Sequence, residues 1–280
     1  ALILVPAIAW SIDPDFDRLG WRMTATVLGV FTVAIAWPLS RLIRNQPEDM
    51  GLLPDGDKPV PEPAAVEAAG TTATKPVADD FTASEALRTP AFWLIAFGHG
   101  FTSMVILAIM AHLGLLMVDK GHQLQDAAFV VSVYTAVAMG FQLVGGYVGG
   151  KIPIRFALAF FTCLQALGVV MLVFAESKTS FYIFAVLFGA GFGGRNPLTV
   201  AVRGEYFGSA SFGKILGFST VPMNLLLLIA APLVGWMRDV QGDYTDAFWV
   251  MVATNLAGAT CFLLAKRPQK KTAPLPTAVD

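Results

Sequence analysis

The 280 residues are 55% apolar and only 14% charged, where an ordinary soluble domain is about a quarter charged. So few Asp, Glu, Lys and Arg, most of them bunched into short stretches, leave almost no room for a soluble globular enzyme. A net charge of −1, with the Lys and Arg residues at the ends of apolar runs rather than in one basic patch, sets nucleic acid aside as a partner.

Ala1 to Trp10 is an apolar run too short to cross a bilayer, which takes about 20 residues. No basic segment precedes it as in a secretory leader. It reads as the back end of a span whose front lies upstream, which makes the chain a piece of a longer one. Spans without Asp, Glu or Lys are expected at 23–40, 91–118, 127–149, 156–175, 179–202, 215–237 and 247–265, and the one Arg inside any of them is Arg195. Residues 1–43 therefore hold a partial span, a loop and one full span. Residues 44–90 read as a linker, and its middle, 59–80, is rich in Pro, Ala, Thr and Glu without apolar periodicity and is expected to be disordered.

Within the linker, Thr82-Ala-Ser-Glu85 matches a capping box and predicts a short surface helix leading up to Pro90. Residues 91–265 then carry six spans joined by tight loops, and 266–280 form a tail. Basic residues gather on the side of the long linker and the C-terminus, which places both in the cytoplasm, with the plasma (inner) membrane as the expected location. Cys163 and Cys261 lie in spans, where a thiol acts as a small hydrophobe.

Several runs carry a family resemblance. Gly146-Tyr-Val-Gly-Gly150-Lys151-Ile-Pro-Ile-Arg155 resembles the loop signature of major facilitator transporters, with Gly150 where that signature has Asp. Arg203-Gly-Glu-Tyr-Phe-Gly208, Phe212-Gly-Lys-Ile-Leu-Gly217, Pro232-Leu-Val-Gly-Trp-Met-Arg-Asp239, Gln46-Pro-Glu-Asp-Met-Gly51 and Thr89-Pro-Ala-Phe-Trp93 are similar to the monocarboxylate and oxalate:formate antiporter branch. The resemblance implies an all-α integral membrane protein: the C-terminal six-helix half of a twelve-helix bundle plus the preceding span or spans. It also implies that the missing N-terminal half completes the transporter. Members that carry oxalate are expected to hold a basic residue in the eighth and eleventh helices; 127–149 and 215–237 contain none, which argues against oxalate.

Transporters of this kind hold substrate near the bilayer midplane between interrupted helices. The first span of the six contains Gly98-His99-Gly100, and the fourth contains Gly189, Gly191, Gly193, Gly194, Arg195, Asn196 and Pro197. At 1.5 Å per residue, His99, Gln142, Arg195 and Asn224 lie at one level, roughly 10–14 Å from one boundary of the core. Arg195 is the strongest signal: a guanidinium in a span needs a wet cavity or a partner, and its fork suits a carboxylate. The reading is an anion clamp, with His99, Gln142, Asn224, Asn196 and Tyr134 as hydrogen-bonding groups; snorkelling or pairing with an acid in the missing half is the structural alternative for Arg195.

His99 is also a candidate for proton coupling. Polar groups and glycines in spans serve helix packing as well, and Gly146, Gly150, Lys151 and Arg155 read as a packing and gating element. No metal spacing, acid–base pair or phosphate-binding Gly-Lys-Ser or Gly-Lys-Thr occurs, so no cofactor or enzymatic activity is expected. The function expected is secondary active transport of a small organic anion, monocarboxylate-like, by alternating access with proton coupling or exchange. Two other readings stand: a neutral or cationic solute with Arg195 structural, and a transporter-like sensor that binds without translocating.

Overall fold

In lipid the backbone must satisfy its own hydrogen bonds, so a chain with this apolar pattern has helices as its route across. A computed structural model describes residues 4–12, 20–41 and 80–270, and its described elements are helical. They are α1 (Leu4–Ile12), α2 (Gly20–Ser40), α3 (Ala83–Leu87), α4 (Pro90–Asp119), α5 (Leu124–Gly149), α6 (Ile154–Val173), α7 (Lys178–Phe207), α8 (Phe212–Gln241) and α9 (Thr245–Leu264). The stretch expected to be disordered, 59–80, lies outside the described residues except for Asp80. The chain divides into two units, Ala7–Ala73 and Thr74–Asp280 with Ala1–Pro6.

In the smaller unit, Thr24 on α2 donates from Oγ1 to Ser11 Oγ at 3.0 Å. Otherwise α2 presents apolar side chains outward, among them Val30, Phe31, Val33 and Trp37.

The larger unit is built from two triplets, α4–α5–α6 and α7–α8–α9, that exchange their first helices. α4 packs on α8 and α9 of the second triplet, α7 packs on α5 and α6 of the first, and α6 meets α9 along the seam. Association in a bilayer comes from close fit rather than from exclusion of water, and glycine supplies that fit around α7. A Cβ on Gly145 of α5 would run into the carbonyl of Gly194, one on Gly193 into the carbonyl of Ala138, and one on Gly194 into the ring of Phe161. On the other face of α7, a Cβ on Gly168 of α6 would lie 2.7 Å from the Phe188 nitrogen. The glycines at 189–194 thus let three backbones approach. The same holds at α4, where Gly98 lies against Phe262 and Cys261 of α9, and Gly100 against Met223 and Leu226 of α8.

Among the described residues, six helices, α2, α4, α5, α6, α8 and α9, are long and apolar enough to cross a membrane. α7 is as long as α4 and α8, but it carries Arg195 and Arg203, and it packs chiefly between α5 and α6. Neither α4 nor α7 is interrupted: both run for 30 residues, through Gly98 and Gly100 in one and through Pro197 in the other. The expected break in the leading helices is therefore a run of close contacts instead.

At the end of the bundle nearest α3, the segment after the linker pins the α7–α8 turn. Phe81 N donates to the Phe207 carbonyl at 2.9 Å, and Asp80 Oδ2 accepts from the amides of Ser209 and Ala210 at 3.1 and 2.8 Å. Gly208 in that turn has φ +80°, which a side chain rarely adopts, and a Cβ there would strike the Asp80 carboxylate. At the opposite end, exposed ion pairs join Lys120 to Glu176 at 2.7 Å, Lys178 to Asp126 at 2.8 Å and Arg238 to Asp119 at 3.0 Å. Each is worth at most about 1 kcal/mol.

The capping box at the start of α3 forms as its sequence predicts, with Thr82 N donating to Glu85 Oε2 at 2.7 Å and Glu85 N donating to Thr82 Oγ1 at 3.3 Å. The backbone amide and hydroxyl of Thr82 hold the Glu85 carboxyl below its ordinary value of 4.5. The cap therefore strengthens the turn above that value and is lost as pH falls through the lower folded value. Hydrogen-exchange protection of the α3 amides, corrected for intrinsic rates, is expected to hold steady at neutral pH and to drop below about pH 4. A Glu85→Gln variant that kept the same pH profile would show that the carboxylate is not responsible.

Candidate functional site

Arg195 sits inside the α5–α6–α7 packing and is 1% exposed. Its Nε donates to Gln165 Oε1 on α6 at 3.4 Å, and Gln165, itself fully buried, reaches the Thr102 carbonyl of α4 at 3.5 Å. The guanidinium lies 5.9 Å from the Phe192 ring centroid, within cation–π range. Phe192 and Phe188 flank Tyr134 of α5 at 5.8 and 5.5 Å. Arg195 Nη1 is buried without a hydrogen-bond partner among the described residues, and none of their carboxylates comes within 4.0 Å of it. A buried cation satisfied only by a neutral amide and an aromatic face is an attractive place for an anion.

A second buried cation stands two turns along the same stripe. Arg203 is 1% exposed; its Nε donates to Ser219 Oγ of α8 at 2.7 Å, its Nη1 to the Thr199 carbonyl, and its Nη2 approaches His99 Nδ1 of α4 at 3.3 Å. Arg195, Thr199 and Arg203 follow at four-residue spacing and so share one face of α7. Both arginines act electrostatically on His99, and Arg195 also on Tyr134. Three of the sequence candidates, Arg195, His99 and Tyr134, are thus brought together, joined by Arg203, Gln165 and Ser219.

The remaining candidates lie elsewhere. Gln142 on α5, Asn196 on α7 and Asn224 on α8 are exposed on the surface of this unit and make no side-chain hydrogen bond among the described residues. Counting along helices fixes depth but not direction: Asn196 is one residue from Arg195 and hence about 100° around the helix. At the C-terminal end of α5, a Cβ on Gly146 would meet nothing within 4 Å and one on the capping Gly150 only its own helix end, whereas Gly145 and Gly149 contact α7. Lys151 lies over the Tyr147 ring at 5.7 Å and Arg155 over Phe156 at 4.6 Å. His112 binds the Ala231 carbonyl at 3.0 Å and ties α4 to α8 away from the site.

Sequence reasoning missed Arg203 by closing the span at Val202 and counting the arginine into a loop. The available signal was Gly208, a helix-ending residue a turn further on, with aromatic Tyr206 and Phe207 before it. Gln165 was hidden by the opposite circumstance, a lone amide in an otherwise apolar span that reads as packing.

A bundle of long apolar helices with a buried cationic cluster defines a polytopic membrane protein. The chain belongs to the Major Facilitator Superfamily, whose family model matches residues 16–181, ending in the first turn of α7. It is similar to Monocarboxylate transporter 11 of Homo sapiens, 27% identical over 94% of this chain and 53% of that protein. Monocarboxylate transporter 13 of Rattus norvegicus is 29% identical over 53% of this chain and 35% of that protein. Monocarboxylate transporter 1 of Homo sapiens is 24% identical over 89% of this chain and 54% of that protein. The chain spans about half the length, or less, of these curated relatives.

Proposed function

We propose that the full-length protein carries a small organic anion, monocarboxylate-like, across a membrane by alternating access, with Arg195 receiving the carboxylate. The observation that carries this reading is the fully buried guanidinium with a free Nη1 among the described residues. The monocarboxylate transporters named above support the substrate class. Tyr134 forms the wall of the site through Phe192, and His99 reaches it from α4. Gln142, Asn196 and Asn224 are exposed on this unit, and in this reading they add hydrogen-bonding groups to the site once the rest of the bundle covers them. Transport, not chemical conversion, is the activity, and a proton gradient or an exchanged solute drives it. The bias of basic residues supports a cytoplasmic linker and tail, and the plasma membrane is the location we propose.

Uptake of a labelled short monocarboxylate by the full-length protein in proteoliposomes tests the proposal. Saturable uptake that an excess of unlabelled carboxylate suppresses is the expected result. Binding without flux would replace the transporter by a sensor, and uptake of a neutral or cationic solute unaffected by Arg195→Gln would make the arginine structural.

A further inference from the structure

Arg203 is bound on three sides, and one of those contacts decides the chemistry of its neighbour. A guanidinium has five N–H donors and no acceptor. The ring nitrogen of His99 that Arg203 Nη2 meets at 3.3 Å must therefore accept, and the single proton of the neutral imidazole then sits on Nε2. Ser219 Oγ and the Thr199 carbonyl hold the rest of the guanidinium fork, so Arg203 is not free to swing away. Ser219 in turn donates to the Leu216 carbonyl at 2.9 Å, which leaves its oxygen to accept from Arg203.

We infer that Arg203 is a positioning residue that holds His99 as its Nε2–H tautomer, so that α4 offers the site a neutral hydrogen-bond donor. The inference rests on the proposed reading of the Arg195 cluster as an anion site, where such a donor has an acceptor to meet. An imidazolium donates from both nitrogens and would set N–H against N–H at Arg203. Protonation of His99 and its contact with Arg203 are thus mutually exclusive. A role for His99 in carrying a proton requires α4 and α7 to part at this point first. The other charge that reaches His99 is Arg195, and no described carboxylate forms an ion pair with either arginine.

The test is solid-state NMR of the full-length protein in liposomes with 15N,13C-labelled histidine, the His99 signal being the one that disappears in His99→Gln. The wild type at neutral pH is expected to show the Nε2–H tautomer, and Arg203→Met a mixture of both tautomers. Affinity for propionate should fall about 3- to 10-fold in Arg203→Met, as befits one weakened hydrogen bond. An Nδ1–H tautomer or an imidazolium in the wild type overturns the inference, as does a tautomer unchanged in Arg203→Met. The wild-type spectrum decides even where Arg203→Met does not fold. Propionate affinity insensitive to Arg195→Gln, with His99 still in the Nε2–H form, would sink the anion site while leaving the positioning role intact.

Discussion

Arg195→Gln in the full-length protein is expected to weaken carboxylate binding by about two orders of magnitude, in line with removal of one partner from a buried charge pair. The neutral amide still suits the polar Gln165 and the face of Phe192, so the surrounding packing is kept while the charge is lost. Arg195→Lys is expected to fall between the two: it keeps a positive charge but not the planar fork that meets both carboxylate oxygens. Equilibrium binding of a labelled monocarboxylate to purified protein measures both. Affinity within threefold of wild type in the Gln variant would remove Arg195 from the site.

The second large effect is a contrast between two adjacent glycines. Gly145→Ala sets a methyl against the Gly194 carbonyl, backbone against backbone, where nothing flexible can yield. The expected cost is about 1–3 kcal/mol or more, visible as a lower unfolding temperature in detergent. Gly146→Ala meets nothing within 4 Å and replaces a residue about 1 kcal/mol less favourable in a helix than alanine, so its effect is expected to be neutral or stabilising. Equal behaviour of the two variants would show that the approach of α5 to α7 is not what holds them together.

The contrast also shows where sequence reading stops. The spans were legible because lipid imposes one strong rule, long uncharged runs, and the expected spans coincide with α2 and α4 to α9 with every boundary within five residues. The capping box at Thr82 was legible because it is a local bond pattern at fixed spacing. Of the site, Arg195 declared itself by its charge, and His99 and Tyr134 accompany it. Gln142, Asn196 and Asn224 share its depth but not its direction, since a helix turns 100° at each residue and only packing says which way is inward. Arg203 escaped notice because a charged residue at the edge of an apolar run looks the same in a loop as in the last turns of a buried helix.

The exchange of first helices between the two triplets bears on how the chain is made. α4 is the first of the six long helices of its unit to leave the ribosome, yet the helices that cover it, α8 and α9, are the last, starting more than a hundred residues after it starts. α5 waits for α7 in the same way. Neither triplet can finish on its own, and loop closure over such separations comes before its reward. The six helices should therefore enter the bilayer one by one but settle into place together, and a chain cut anywhere before α9 is expected to be cleared as unfinished, with α4 still unsheathed in lipid.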